Sequence, residues 1–141
     1  MMKVKIKKLR EDARIPEYAH EGDAGMDLFS CEDCIILPKH RQVISTGIAM
    51  EIPKGYVGLI WDKSGIAKNG ITTISGVGDS GYRGEYKVVL LNVSSKPYVV
   101  KKGQKIAQML IQKVESPKLV EVKEISDTER GVGGFGSTGL K

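Results

Sequence analysis

Gln42-Val43-Ile44-Ser45-Thr46-Gly47-Ile48-Ala49-Met50-Glu51-Ile52, then Pro53-Lys54-Gly55, then Tyr56-Val57-Gly58-Leu59-Ile60-Trp61: two runs rich in β-branched and aromatic residues, split by a turn signal, read as consecutive strands. Moving toward the start of the chain, Val4 and Ile6 alternate with lysines at the period of a half-buried strand, so the basic beginning is the wet face of that strand. Moving the other way, further β-like runs lie at Ile71 to Ser75, Tyr86 to Val93, Lys105 to Val114 and Leu119 to Ile125. Asp79-Ser80-Gly81, Ser95-Lys96-Pro97 and Lys101-Lys102-Gly103 punctuate them. Only Ser64-Gly65-Ile66-Ala67-Lys68 has the makings of a helical turn, with Ser64 as its N-cap. Many short strands at close spacing predict an all-β sandwich, jelly roll or barrel, with no repeat and no crossover helices.

Composition narrows the class further. A chain of 141 residues fits one domain and can bury a core without disulfides or metal. The net charge of +5 favours anionic partners, but the lysines are scattered and the aromatic fraction of 6% is thin for stacking on single strands, so nucleic acid is not the indicated partner. Cys31 and Cys34 form a lone C-x-x-C, and His20 and His40 are the only histidines. That is half a zinc site, against the plainer reading of two reduced thiols in a strand or turn. The start carries no signal-peptide core, no run approaches a membrane span, and a reducing cytoplasm is the expected location.

Five segments gather small residues around a few polar ones. Four are internal: Ala24-Gly25-Met26-Asp27-Leu28, Asp62-Lys63-Ser64-Gly65-Ile66-Ala67, Gly76-Val77-Gly78-Asp79-Ser80-Gly81-Tyr82-Arg83-Gly84-Glu85, and Gly103-Gln104-Lys105-Ile106-Ala107-Gln108. Each has a bland alternative: Asp79 as a turn residue, Gln108 as a solvent-facing strand residue, Lys63-Ser64 as a loop and cap. The fifth is the tail Arg130-Gly131-Val132-Gly133-Gly134-Phe135-Gly136-Ser137-Thr138-Gly139. Its glycines make any fixed conformation costly unless a ligand orders it. Arg130 offers a fork of donors to phosphate, Ser137 and Thr138 add hydroxyls, and Phe135 offers a face for a base. Taken alone, the tail also fits a frayed, linker-like terminus.

The order of these motifs breaks the tie. From Ala24 through Gly139 the chain resembles the trimeric deoxyuridine triphosphate pyrophosphatases (dUTPases) over nearly its full length. The tail and the Asp79-x-Gly81-Tyr82-Arg83-Gly84 segment are specific in combination, whereas the first and fourth motifs alone are weak. The resemblance implies a β jelly roll spanning residues 1–128 and a mobile lid at 129–141 that closes over a neighbouring subunit's site in a homotrimer. It implies hydrolysis of dUTP to dUMP and pyrophosphate, which keeps uracil out of DNA and supplies dUMP for thymidylate synthesis. Asp79 corresponds to the carboxylate that orients and deprotonates the attacking water. Asp27 corresponds to a residue holding Mg²⁺ through water, with the metal carried mainly by the substrate phosphates. Lys63, Ser64, Gly65 and Gln108 match phosphate contacts. Thr73, Gly76, Val77 and Gly78 belong to the hairpin that reads uracil through its backbone; Tyr82 lies under the deoxyribose and Lys87 lines the rest of that pocket. Arg130, Gly136, Ser137 and Thr138 match the closing clamp, with Phe135 stacked on uracil.

Two departures stand out. Where the family reads Pro-Arg-Ser-Gly, this chain has Asp62-Lys63-Ser64-Gly65, so a bidentate fork becomes a point charge beside a carboxylate. Gly78 replaces a usual aliphatic residue before Asp79, an exchange expected to loosen the backbone that aims the base. Two alternatives share the pocket. A dCTP deaminase would need an acidic residue where alignment through Tyr82 and Asn92 places Val89. A nucleotide-binding regulatory protein would signal through the state of its tail.

Overall fold

The computed structural model describes all residues 1–141 and contains ten strands and one short helix. In chain order these are β1 (Lys5–Lys8), β2 (Met26–Phe29), β3 (Cys34–Ile36), β4 (Arg41–Glu51), β5 (Tyr56–Trp61), α1 (Ser64–Ala67), β6 (Ile71–Thr73), β7 (Val77–Gly78), β8 (Glu85–Asn92), β9 (Tyr98–Val100) and β10 (Lys105–Lys113). One four-stranded sheet runs β1-β4-β8-β6, the other β2-β10-β5-β7, and β3-β9 forms a small third sheet. Every pairing is antiparallel, as the expected jelly roll requires.

Alternation builds the core. Along β8, Tyr86, Val88, Leu90 and Asn92 point inward while Lys87 points out. Val88 and Leu90 join Ile44, Ile48 and Met50 of β4 in one cluster with Met26, Leu28, Ile106 and Met109 from the other sheet. Two inner faces thus close on each other, and each buried aliphatic side chain contributes roughly 1.5–3 kcal/mol. Asn92 is the polar member of the inward row of β8, fully buried at its end. Its amide donates to Ile36 O at 2.8 Å and Lys96 O at 2.7 Å, which ties the small sheet to the large one.

Three sequence expectations need correction or extension. Leu119 to Ile125 is not a strand: the segment is irregular, with Leu119 89% and Ile125 87% exposed. Apolar composition favoured a strand, but the segment makes no backbone hydrogen bond to any strand, so no ladder forms. Ser64 is not the helix cap; Lys63 holds that place with extended φ and ψ of −88° and 123° and no side-chain cap bond, so Ser64 opens the helix itself. Strands β2, β3, β7 and β9 span only two to four residues, too short to announce themselves by period.

Beyond the bond from Val114 N–H to Gly55 O, every hydrogen bond of the remaining chain joins residues three apart within that segment. Residues 115–141 therefore form an arm that makes no hydrogen bond to the body, exposed except at Gly133 and Gly134. Cys31 and Cys34 are free thiols, one in the turn after β2 and one opening β3. Burial pushes both thiols up and so keeps them protonated. No helix is long and apolar enough to cross a membrane.

Candidate functional site

The expected residues fall into two groups at opposite ends of one sheet. The first forms where β2, β10 and β5 run side by side, with Asp27, Gln108 and Trp61 in one row. Asp27 is 2% exposed, an expensive place for a charge unless it is paired. Lys63 donates to its Oδ1 at 2.5 Å, and Lys105 Nζ lies 2.9 Å from Oδ2 but outside hydrogen-bonding geometry, so Oδ2 is buried with a charge partner and no hydrogen bond. Burial pushes the Asp27 carboxyl up, and the two lysines outweigh it, leaving a net shift downward.

The other unusual residue of this motif has a separate partner. Asp62 accepts from Thr72 Oγ1 at 2.8 Å and from Thr73 N–H at 2.6 Å, which ties the turn before α1 to β6. Lys63 therefore pairs with Asp27, not with the carboxylate beside it in sequence. Gln108 Nε2 donates to Asp62 O at 2.7 Å, and its Oε1 sits so close to Gly25 that a Cβ there would lie 2.5 Å away. Rather than facing solvent freely, Gln108 locks the first, second and fourth motifs together. Ser64 and Gly65 stand exposed at the helix start, where the first N–H groups have no intrahelical acceptor.

The second group is built on the hairpin between β6 and β8. Thr73 Oγ1 and Ser75 Oγ bond at 2.6 Å, Ser75 Oγ accepts from Val89 N–H at 2.8 Å, and the chain then turns through Gly76. Gly76 has φ of +84°, a conformation a side chain would strain. Ser75, Val77, Gly78, Tyr82, Glu85, Tyr86, Lys87 and Ile60 surround a cavity of about 430 Å³. Tyr82 Oη donates to Glu85 O at 2.8 Å, and its ring meets the Tyr86 ring edge-on at a centroid distance of 5.4 Å. Asp79 is exposed on the far side of Val77, on the wall of a second cavity of about 540 Å³ that includes Val57.

Gly78 is not loose. It pairs with Gly58 in the sheet, and a Cβ on it would stand 2.6 Å from Tyr86 Cε1 and 2.8 Å from Tyr86 Oη. The glycine is what allows Tyr86 to lie against the backbone leading to Asp79. Tyr86 escaped the sequence reading because an inward aromatic on a strand looks like ordinary core. Lys105 was passed over because an exposed lysine on a strand looks like a wet face.

The strand register separates the two groups. Gln108 stands opposite Trp61, Gly78 stands opposite Gly58, and continuing the ladder brings Asp79 beside Val57. Four residues of β5 span about 13 Å. The tail residues join neither group: Arg130 Nε folds back onto Gly133 O at 2.8 Å, and Phe135, at a φ of 51°, projects fully into solvent.

Comparison with known proteins gives a consistent result. The family model described as dUTPase matches residues 11–139. The deoxyuridine 5'-triphosphate nucleotidohydrolase of Hydrogenobaculum sp. is 49% identical, covering 99% of this chain and all of that protein. Among solved structures, a point mutant of the Staphylococcus bacteriophage 80alpha dUTPase with dUpNHpp superposes with a TM-score of 0.93 at 31% identity, covering 99% of this chain and all of the other. A point mutant of the dUTPase from phage phi11 of S. aureus, described as revealing the coordination of a structural Mg(II) ion, has a TM-score of 0.81 at 29% identity over 87% of this chain and 98% of that one.

Proposed function

The chain belongs to the dUTPase family, and on that premise we propose how its residues divide the work of hydrolysing dUTP to dUMP and pyrophosphate. The supporting observation is the pairing of a cationic, hydrogen-bond-locked group at Asp27, Lys63 and Gln108 with a nucleoside-sized cavity under Gly78 and Tyr82. Lys63, the N–H groups of Ser64 and Gly65, and Gln108 hold the phosphates. Thr73, Gly76, Val77 and Gly78 present backbone groups to uracil, Tyr82 packs under the deoxyribose, and Lys87 closes the cavity rim. Asp79 accepts the proton of the water that attacks the α-phosphorus. Positioning and charge stabilisation supply most of the acceleration, as phosphoryl chemistry generally requires.

A single carboxylate flanked by two ammonium groups is a poor cage for a bare divalent ion, and no group of three metal-ligating side chains gathers anywhere in the chain. The buried Oδ2 of Asp27, 2.9 Å from Lys105 Nζ, keeps a further lone pair that could accept from a metal-bound water. These residues fit Mg²⁺ that arrives on the triphosphate, with Asp27 holding it through water. Held there, such an ion would supply charge neutralisation at the phosphates and polarise the scissile linkage. Lys63 and Lys105 hold the Asp27 carboxylate ionised for that contact.

The distance between the two groups supports a site shared among chains of a homotrimer. The phosphate-binding group of one chain works with Asp79 and Tyr82 of another, and the arm of a neighbour closes the site. Arg130, Gly136, Ser137 and Thr138 then clamp the phosphates while Phe135 covers uracil, expelling water and strengthening each charge contact. The free thiols suit a reducing cytoplasm. Assaying the protein with dUTP, dCTP, dTTP and UTP in the presence of Mg²⁺ should release pyrophosphate mainly from dUTP. Comparable conversion of dCTP to a deaminated product would overturn the reading.

A further inference from the structure

Lys105 reaches Asp27 through a break in the strand register. Asp27 of β2 stands directly opposite Gln108 of β10, so the two side chains share one face of the sheet. Lys105 precedes Gln108 by three residues, a spacing that in a regular strand points to the other face. Between Lys105 and Ala107, however, two residues of β10 stand against one of β2, and the consecutive Ile106 and Ala107 are both fully buried. This is a bulge, and it returns Lys105 to the face of Asp27.

The Lys105 ammonium ends 2.9 Å from Asp27 Oδ2 outside hydrogen-bonding geometry, and that oxygen has no hydrogen-bond partner. Its three N–H groups are therefore unspent on Asp27. Lys63 differs, since it donates to Asp27 Oδ1 at 2.5 Å and its side chain is 28% exposed, against 44% for Lys105. One carboxylate thus faces two ammonium groups. Asp62, beside Lys63 in sequence, is occupied by Thr72 and Thr73. A cation held in place with its donors free, next to the turn at Ser64 and Gly65, lacks only an anionic acceptor.

We propose that Lys105 is a further phosphate-binding residue: with nucleotide bound, its ammonium donates to oxygens of the triphosphate alongside Lys63, Ser64, Gly65 and Gln108. The inference rests on the reading of the Asp27 row as the phosphate end of the site. A guanidinium at 63 would offer a planar fork, whereas an ammonium is a point charge with rotatable donors. Lys63 commits one donor to Asp27, and Lys105 supplies what that commitment withholds.

The decisive variant is Lys105→Met in the full-length protein, which keeps an apolar stem and removes the charge. With Mg²⁺ chelated, the Kd for dUpNHpp by calorimetry should rise by a factor on the order of ten to a hundred, while that for 2'-deoxyuridine, which carries no phosphate, stays within about twofold. An unchanged Kd for dUpNHpp would overturn the proposal. So would an equal weakening of both ligands, because it would mean a distorted site. Repeating the substitution in Asp27→Asn separates a phosphate contact from a counter-ion: the penalty on dUpNHpp should persist there, and its disappearance would confine Lys105 to neutralising Asp27 and reject the contact. That background also serves if Lys105→Met alone fails to fold, because it removes the buried charge left short of a partner. Lys63→Met tests the reading beneath. If neither lysine variant weakens dUpNHpp, the Asp27 row is not the phosphate end, whereas a loss in Lys63→Met beside an unaffected Lys105→Met removes only the role of Lys105.

Discussion

The ammonium at position 63 is committed before any ligand arrives, because Lys63 is bound to a carboxylate that is itself almost wholly buried. The depressed Asp27 carboxyl makes stability pH-dependent with a defined sign. Its contribution is complete above the unfolded value near 4 and is lost as pH falls through the lower folded value. Urea midpoints of the natural protein and Asp27→Asn should therefore differ by a constant amount above about pH 5 and converge in stronger acid. A gap that persists there would assign the stability to packing. Gly78 offers a second single-residue test. Gly78→Ala should cost roughly 1–3 kcal/mol by overpacking against Tyr86, and adding Tyr86→Leu should recover most of it in thermal melts. Additive losses would show that the two side chains do not compete for space. The sequence could mark Gly78 and Lys63 as departures because both lie inside recognisable motifs. It could not show what each departure meets, since Tyr86 and Asp27 touch them only through the fold.

Elements were legible in proportion to their length. The long strands β4, β8 and β10 carry enough period to be read within a residue or two of their ends. The two-residue β7 exists because β5 offers it an edge, and no local pattern encodes that. The opposite error arose at Leu119 to Ile125, where apolar composition suggested a strand and the segment pairs with no strand of the chain. The arm is also the proposed lid. Deleting residues 130–141 removes only hydrogen bonds internal to that segment or to its root at Thr128. Truncated protein should keep its melting temperature and lose most dUTP turnover. Full activity after truncation would show that the arm closes nothing.

For the whole molecule, the register of one sheet carries the most consequence, since it holds the row of Asp27, Gln108 and Trp61 and the proposed base Asp79 about 13 Å apart along β5. A shared site can be tested by mixing two inactive proteins, Asp79→Asn with an intact arm and the natural body with the arm removed. After joint refolding, dUTP hydrolysis should reappear, because some sites then combine an intact Asp79 with an intact lid. Silence in the mixture, with light scattering still reporting trimers, would put the whole site on one chain. The motif order announced the family and carried with it the expectation of a shared site, while the ladder adds how far the Asp27 row and Asp79 stand apart. A protein arranged this way has a rate that follows mass action: on dilution the hydrolysis per subunit would fall more steeply than the concentration of folded chains, and abundance itself would become a control on nucleotide clearance.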